Sequence, residues 1–286
     1  MLILDGKQVA AKRFETLKNK ISDFKSTHSI TPGLTVVLVG EDPASQVYVK
    51  NKTKTSKELG MNSEQISLPV SISQVELESR IEELNRNDKV HAILVQLPLP
   101  KHLNEERALD KISAYKDVDG LNIENQGLLW AGRPRTIPCT PHGVMKILEH
   151  YKIEIVGRKA VVIGRSQIVG KPMAALLLAA NASVSICHSK TKDLKDYTLG
   201  ADIVVVAAGI ERFIGKDSFA QGSVVVDVGM HRPQKGPFAN KLCGDVRYEE
   251  LGDWVSAATP VPGGVGPMTI QMLMENTLLL AELKAR

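Results

Sequence analysis

The chain has 286 residues, 43% of them apolar and 24% charged, and a formal net charge of +4 at pH 7. This length suits two globular domains with ordinary packed cores better than one. The small, dispersed positive charge argues against a dedicated nucleic-acid surface and is compatible with anionic small ligands.

The apolar runs are too short to predict a membrane span. Residues 203–208, for example, have the length of a strand. The N-terminal sequence MLILDGKQVAAKRFE acquires charges immediately, unlike a signal peptide. Cys139, Cys187 and Cys243 are widely spaced and form no CxxC pair, so neither a disulfide framework nor a cysteine zinc site is predicted. We therefore expect a cytoplasmic protein without a membrane anchor or a metal.

Short apolar segments alternate with helical segments in the first half of the chain. The predicted order is a strand LTVVLV from Leu34, a helix over residues 43–59, a strand SEQISLPV, a helix over residues 73–87 and a strand HAILVQLPLP. Strands that alternate with helices predict parallel βαβ units.

The second half repeats this alternation and contains more strongly apolar strands. These strands are AVVIG from Ala160, ASVSIC from Ala182, ADIVVVAAG from Ala201 and GSVVVDVG from Gly222. Their nearly unbroken β-branched runs predict burial on both faces of a sheet. The final segment, TIQMLMENTLLLAELKAR, predicts an apolar helix of about 17 residues that is long enough to return to the first domain.

The predicted fold class is α/β with two domains separated by a cleft. Residues 1–140 form an N-terminal domain with parallel βαβ units, which the C-terminal helix at residues 268–286 completes. Residues 141–267 form a C-terminal Rossmann-like domain that binds a dinucleotide.

The segment AVVIGRSQIVGKPM predicts a phosphate site. Gly164 directly follows a buried strand and Gly170 precedes a helix, so backbone N–H groups at a helix N-terminus face the ligand. The spacing departs from GxGxxG, because Ser166 replaces the second glycine and the last glycine comes one residue later. A purely structural turn is the alternative.

The end of the following strand indicates which dinucleotide is bound. An NAD site usually has a carboxylate there, whereas this chain has Ser189 and Lys190, with Arg165 available from the first turn. A hydroxyl and two cations favour a 2′-phosphate and hence NADP. Asp193, a few residues further on, weakens this assignment slightly.

Tyr48 and Lys52 lie four residues apart in the helix PASQVYVKNKTKTSKELG and therefore project from one face. An aromatic ring beside an amine can exclude water and lower the pKa of the amine. The alternative is a solvated basic face, since several neighbouring lysines cannot all be functional.

Three further segments suggest a ligand site. Gln96 ends a buried strand before a proline-rich turn, where an amide can position substrate or water. In KDVDG, either Asp117 or Asp119 can accept paired N–H donors from an amino-pyrimidine-like ring, although an Asx turn explains the pattern equally well. The loop TPVPGGVGPMT at residues 259–269 combines rigid and permissive backbone, which suits close approach to a flat ligand or a simple connection.

Together these segments resemble the bifunctional methylenetetrahydrofolate dehydrogenase/methenyltetrahydrofolate cyclohydrolase family. The similarity covers nearly the whole chain in unbroken order. It is carried by VGEDPASQVYVKNK, ILVQLPLP, KDVDGLN, PCTPHG, VVIGRSQIVGKPM, CHSKT, VVDVG, CGDV and TPVPGGVGPMT.

The resemblance implies an NADP-dependent oxidation of methylenetetrahydrofolate and hydrolysis of the product, in one-carbon metabolism and purine biosynthesis. It implies that Lys52 is the catalytic lysine, with Tyr48 and Gln96 beside it and Asp119 holding the pterin-like ring. It further implies folate contacts by one loop and NADP contacts by several positions. These are Pro262, Gly263 and Gly264 for the folate, and Gly164, Arg165, Ser166, Ser189 and the backbone at Met230 for NADP. Met230 replaces a more usual isoleucine, and a homodimer through the nucleotide-binding domains is the family's usual state.

Two other functions compete with this interpretation. The YxxxK pattern of short-chain carbonyl reductases is present, but in that family it follows the nucleotide fingerprint, whereas here it precedes it. A catalytically silent NADP-binding sensor is the second alternative, and it gives no reason for Lys52, Gln96 and Asp119 to occur together. Cys139 and His142 in PCTPHG lack partners at metal-ligand spacing, so a role in helix entry is expected.

Overall fold

The computed structural model describes residues 1–235 and 238–285, without the side chains of residues 43–45, 47 and 48. Helices and strands alternate along most of this length. The strands are β1 Leu2–Ile3, β2 Gly33–Val39, β3 Asn62–Leu68, β4 Ala92–Val95, β5 Lys159–Ile163, β6 Ser183–Cys187, β7 Ile203–Val206, β8 Val224–Asp227 and β9 Ala257–Ala258. The α-helices are α1 Gly6–His28, α2 Pro43–Glu58, α3 Gln74–Arg86, α4 Glu105–Lys111, α5 Ile123–Trp130, α6 Cys139–His150, α7 Gly170–Ala179, α8 Leu194–Thr198 and α9 Val265–Ala285.

The chain divides into two compact units. The six-stranded unit comprises Met1–Ala11 and Pro138–Thr269, and the three-stranded unit comprises Lys12–Ile137 and Ile270–Arg286. The first eleven residues belong with the six-stranded unit because β1 pairs in parallel with β9, Leu2 opposite Ala257. The division falls within α1 and within α9.

The three-stranded unit is built on a parallel sheet with the strand order β3-β2-β4. All of β2 and β4 is buried. Val37 and Val95 of these strands pack with Leu77 and Ile81 of α3 in one apolar cluster. The capping box of Ser73 at the start of α3 satisfies backbone N–H groups of that helix. The alternation of strands and helices in the sequence therefore produces the predicted βαβ arrangement.

The six-stranded unit has the strand order β1-β9-β8-β7-β5-β6, and all its strand pairs are parallel. After β1, the chain enters this sheet at β5, adds β6 on one side of it and then β7, β8 and β9 in turn on the other. The point at which strands begin to be added on the other side of β5 is the topological switch point of doubly wound folds. Dinucleotides bind there, at the carboxyl ends of the strands. The Rossmann-like prediction is confirmed.

Two sequence expectations require correction. The strand ASVSIC is not buried on both faces, because β6 lies at the edge of its sheet and Ile186 is 39% exposed. The last helix begins earlier than predicted, at Val265, because Pro267 lies in its first turn, where a missing N–H costs no helical hydrogen bond. No helix within the described residues has both the length and the apolarity to cross a membrane.

Candidate active site

Lys52 and Gln96 contact each other in the three-stranded unit. Lys52 lies on α2, and its Nζ donates to Oε1 of Gln96 over 2.9 Å. Gln96 directly follows β4, and its Nε2 donates to the carbonyl oxygen of Leu97 at 2.7 Å. This second bond orients the amide so that its oxygen faces the amine. Both side chains are partly exposed, so a ligand at the strand ends can reach them.

Tyr48 occupies α2 one helical turn before Lys52. This spacing places two side chains on the same helix face. The side chain of Tyr48 lies outside the described residues, and its contact with substrate stays a prediction.

Asp119 lies at the same edge of the sheet as Gln96. The N–H of Ile93 in β4 donates to the carbonyl oxygen of Lys116 at 2.7 Å, and Ile93 pairs in parallel with Asp117. Residues 117–119 therefore run parallel to β4, and Asp119, two residues after Asp117, lies toward the carboxyl end of that strand. The Asp119 side chain is partly exposed, as a ligand-binding carboxylate must be.

Asp117, the other aspartate of KDVDG, is buried and has a structural environment. Its Oδ2 accepts the backbone N–H of Asn122 at 2.8 Å and the side-chain amide of Asn125 at 2.9 Å. Burial raises the pKa of Asp117 to about 6, against the effect of these donors. The two aspartates, which the sequence could not distinguish, thus have different environments: Asp117 fixes the loop and Asp119 is accessible.

Asn276 of α9 also supports this loop, and sequence reasoning missed it. Its side-chain amide donates to the carbonyl oxygens of Val118 at 2.8 Å and Ile137 at 2.9 Å. The residue is buried at 3% exposure. An asparagine within the apolar run TIQMLMENTLLL was the available signal, since a buried amide needs partners.

The glycines of the turn after β5 permit a close backbone approach. Gly164 has φ +129°, and a Cβ there would lie 2.1 Å from the carbonyl oxygen of Ala207. A Cβ at Gly170 would lie 2.2 Å from the carbonyl oxygen of Gly164. The Ser166 hydroxyl accepts the N–H groups of Val169 and Gly170 at 3.2 and 3.3 Å. The turn therefore packs tightly against the N-terminus of α7, the geometry that suits a phosphate.

Arg165 and Ser189, the residues expected at the adenosine end of a dinucleotide, both follow the carboxyl ends of neighbouring strands. Ile163 of β5 is paired with Cys187 of β6, so the residues after each strand emerge beside each other. Arg165 follows the first strand and Ser189 follows the second, and both are exposed. The edge thus offers a guanidinium and a hydroxyl.

Met230 lies after β8 in the same unit and is 42% exposed. Its neighbours are held in place by hydrogen bonds: the N–H of Gly229 donates to Asp227, and His231 exchanges backbone hydrogen bonds with Cys243. The backbone at Met230 is therefore fixed on both sides.

The predicted folate loop precedes α9 in the six-stranded unit. The N–H of Gly264 donates to the carbonyl oxygen of Pro260 at 2.8 Å, and the carbonyl oxygen of Gly263 accepts the N–H of Lys7 at 2.9 Å. Gly6 allows this approach, since a Cβ there would lie 1.9 Å from the carbonyl oxygen of Gly264. Pro262 at its tip is exposed.

The segment PCTPHG begins a helix. Cys139 is the first residue of α6 and is buried. Among residues 1–235 and 238–285, no group of three or more His, Cys, Asp or Glu side chains could hold a metal ion.

Two family models match the chain. Residues 4–119 match the catalytic domain of tetrahydrofolate dehydrogenase/cyclohydrolase, and residues 138–285 match the NAD(P)-binding domain of the same family. The bifunctional protein FolD of Bdellovibrio bacteriovorus is 54% identical over 286 residues, which are 100% of this chain and 98% of that protein.

Solved structures agree in fold over the full length. The bifunctional enzyme FolD of Campylobacter jejuni is 48% identical with a TM-score of 0.94, and the match covers 99% of both chains. The FolD of Trypanosoma brucei, solved with NADP cofactor and inhibitor, is 35% identical with a TM-score of 0.94 and is matched over 99% of its length by 100% of this chain. With two domain models in order and relatives matched end to end, the chain belongs to the tetrahydrofolate dehydrogenase/cyclohydrolase family.

Proposed function

We propose that the chain oxidises 5,10-methylenetetrahydrofolate to 5,10-methenyltetrahydrofolate with NADP and hydrolyses this product to 10-formyltetrahydrofolate. The three-stranded unit binds the reacting part of the folate, and the six-stranded unit binds NADP. The hydrogen bond from Lys52 Nζ to Gln96 Oε1 carries this proposal, because it joins an amine and an amide at the strand ends of the part that matches the catalytic domain.

The dehydrogenase step depends mainly on orientation. Loss of hydride from the methylene bridge leaves a cation that the adjoining ring nitrogens stabilise, and NADP supplies the hydride acceptor when bound. Asp119 accepts paired N–H donors from the pterin-like ring and so fixes the direction of the bridge. Asp117 and Asn276 hold the backbone on which this carboxylate depends.

The cyclohydrolase step requires proton transfer. Water adds to the methenyl carbon and loses a proton, and a carbon–nitrogen bond then breaks as the departing nitrogen receives a proton. Lys52 moves these protons, directly or through water. Gln96 orients the amine by accepting one of its hydrogens at 2.9 Å. Tyr48 precedes Lys52 by one turn of α2, and we expect it to contribute to the same site.

The six-stranded unit fits NADP. A Cβ at Gly164 or Gly170 would overlap a backbone carbonyl oxygen, so the two glycines permit the tight turn before α7 that suits a pyrophosphate. Ser166 borders this turn, and Arg165 and Ser189 suit a 2′-phosphate at the neighbouring strand ends. The NADP complex of the Trypanosoma brucei relative supports the same cofactor.

We expect the loop of Pro262, Gly263 and Gly264 to contact folate. The hydrogen bonds from Lys7 and to Pro260 preorganise this loop and support a binding role.

A homodimer through the six-stranded unit is supported by an unprotected sheet edge. Strand β6 has a neighbour, β5, on one side. Ile186 on β6 is 39% exposed and Leu178 on α7 is 55% exposed. An edge strand with exposed apolar side chains favours association with a second copy. Within the described part of the chain the three cysteines are buried and form no disulfide, in keeping with a reducing cytoplasm.

Substitution of Lys52 tests the mechanism. Lys52→Met is expected to lower cyclohydrolase kcat at least about a hundredfold, because proton transfer is lost, while the Kd for NADP stays unchanged. Lys54→Met is the matched control, since Lys54 lies on the same helix, is 72% exposed and pairs only loosely with Glu58 at 3.8 Å. Full cyclohydrolase turnover in Lys52→Met, measured by loss of methenyl absorbance, would remove Lys52 from the mechanism.

An assay of the wild-type protein distinguishes an enzyme from a catalytically silent NADP-binding sensor. Reduction of NADP that requires methylenetetrahydrofolate, followed at the nicotinamide absorbance, is the expected result. NADP binding without reduction would contradict the dehydrogenase assignment.

A further inference from the structure

Two buried carboxylates join the loops that follow β7 and β8 in the six-stranded unit. Asp227 ends β8, and Asp245 lies in a later loop; their side chains are 2% and 0% exposed. Neither belongs to the site residues proposed above. Buried carboxylates are costly unless hydrogen bonds compensate them, so their partners indicate what they stabilise.

Asp245 connects two separate loops. Its Oδ2 accepts the N–H of Gly209 at 2.9 Å, and its Oδ1 lies 2.7 Å from Nε2 of His231. A Cβ at Gly229 would lie 2.2 Å from the same Oδ1, so only glycine admits the carboxylate there. Asp245 therefore fixes the loop after β7 and the loop after β8 relative to each other.

Asp227 fixes the same region from the other side. Its Oδ1 accepts the N–H groups of Gly229 and Asp245 at 2.9 and 3.0 Å, and its Oδ2 accepts that of Val246 at 2.9 Å. A Cβ at Gly244 would lie 1.8 Å from Oδ2 of Asp227. Met230, 42% exposed, thus lies between two residues, Gly229 and His231, that these carboxylates hold.

These loops lie where the second half of the dinucleotide must extend. The turn after β5 takes the pyrophosphate and the end of β6 takes the adenosine ribose. Since β7 and β8 lie on the opposite side of β5, the nicotinamide half reaches the loops after β7 and β8. Gly209 and Met230 belong to these loops.

We propose that Asp245, together with His231, is a positioning residue for the nicotinamide half of NADP. It holds the backbone at Gly209 and at residues 229–231 in the arrangement that this half of the cofactor contacts. The inference rests on the proposed NADP site and assigns a specific part of that site to a buried carboxylate. A bond between two loops matters here because a small error in nicotinamide placement is costly for hydride transfer.

The test compares NADP with 2′,5′-ADP, which contains only the adenosine half and its 2′-phosphate. Asp245→Asn keeps the size of the side chain but provides one oxygen instead of two. We expect the Kd for NADP to rise on the order of tenfold or more, as for loss of a hydrogen bond to a charged group, with the Kd for 2′,5′-ADP unchanged. Dehydrogenase activity falls, whereas cyclohydrolase activity, which needs no nicotinamide, is retained.

Asp202→Asn is the matched control. Asp202 also accepts a backbone N–H, from Lys159 at 2.8 Å. It precedes β7, however, and so lies at the N-terminal ends of the strands, away from the cofactor loops. This variant is expected to bind both nucleotides as the wild type does. His231→Gln, whose amide can still donate to Asp245, is expected to retain NADP affinity within a few-fold, and His231→Leu to lose it.

Several outcomes would overturn the inference. If Asp245→Asn raised the Kd for NADP and the Kd for 2′,5′-ADP equally, Asp245 would have a general structural role. If neither Kd changed, Asp245 would have no role in positioning the cofactor. If Asp245→Asn does not fold, the pair His231→Gln and His231→Leu decides the same question through the partly exposed partner. Failure of the wild type to bind NADP would instead contradict the proposed cofactor site.

Discussion

The side-chain amide of Asn276 donates to the carbonyl oxygen of Val118 at 2.8 Å, although the two residues lie 158 positions apart. Val118 immediately precedes Asp119. A helix near the end of the chain therefore fixes the backbone that carries the carboxylate proposed to bind the pterin-like ring. We therefore expect the affinity for folate to depend on Asn276 through the position of Asp119.

Removal of the Asn276 amide is expected to weaken folate binding. In Asn276→Leu the carbonyl oxygens of Val118 and Ile137 lose the hydrogen bonds that this amide donates, at about 0.5–1.5 kcal/mol of unfolding free energy for each bond. The KM for methylenetetrahydrofolate is expected to rise several-fold as the loop relaxes, while the Kd for NADP is unchanged. Steady-state kinetics and denaturant unfolding measure both effects.

Asn85→Leu is a suitable control for the loss of stability. Asn85 donates to the carbonyl oxygen of Lys111 at 2.8 Å in the same unit, away from residues 117–119. It should lower the unfolding free energy without raising the folate KM. A parallel rise of KM in both variants would mean that stability alone explains the effect.

Arg165 is expected to discriminate NADP from NAD. Arg165→Ala should raise the KM for NADP by about tenfold or more, as for lost hydrogen bonds to a charged group, and leave the KM for NAD nearly unchanged, because NAD lacks the 2′-phosphate. Arg158→Ala removes a comparable cation, 44% exposed, that precedes β5 at the other edge of the sheet. Equal effects of Arg165→Ala on the two cofactors would refute the phosphate-binding assignment.

Asp117 is expected to make stability depend on pH. Its folded-state pKa is about 6 because of burial, whereas an unfolded aspartate titrates near pH 4. Below about pH 4 both states hold the proton. As the pH rises toward 6 the unfolded state ionises first, so the unfolding free energy falls, and it levels off above the folded pKa.

The asparagine of Asp117→Asn cannot ionise, so the unfolding free energy of this variant should not fall as the pH rises. Relative to the wild type, its unfolding free energy should improve between about pH 4 and pH 7 by up to about 3 kcal/mol, at about 1.4 kcal/mol per pKa unit. Urea unfolding at several pH values measures the difference. Asp110→Asn controls for the lost charge, because Asp110 is exposed in the same unit and its Oδ1 accepts the neighbouring backbone N–H of Ile123 at 3.0 Å, which an asparagine oxygen can still accept. Parallel pH profiles of wild type and Asp117→Asn would contradict the expectation.

Local pattern was sufficient for most of the strands and helices. β-branched runs such as IVVV in β7 favour a strand in the interior of a sheet, and β7 is fully buried. Gly164 marks a turn in which a Cβ would overlap a carbonyl oxygen. The pattern failed at β6, because burial depends on which strands become neighbours, and at α1, whose helix was not predicted.

The sequence by itself determined the family, the alternation of parallel strands and helices, and which residue types gather at strand ends, because these follow from short-range periodicity and rare motifs. Only the tertiary structure decided that Lys52 bonds to Gln96, that Asp117 is buried while Asp119 is accessible, and that Asn276 and Asp245 hold distant loops. Hydrogen bonds between residues far apart in the chain depend on how whole elements pack, and spacing along the sequence carries no record of that packing.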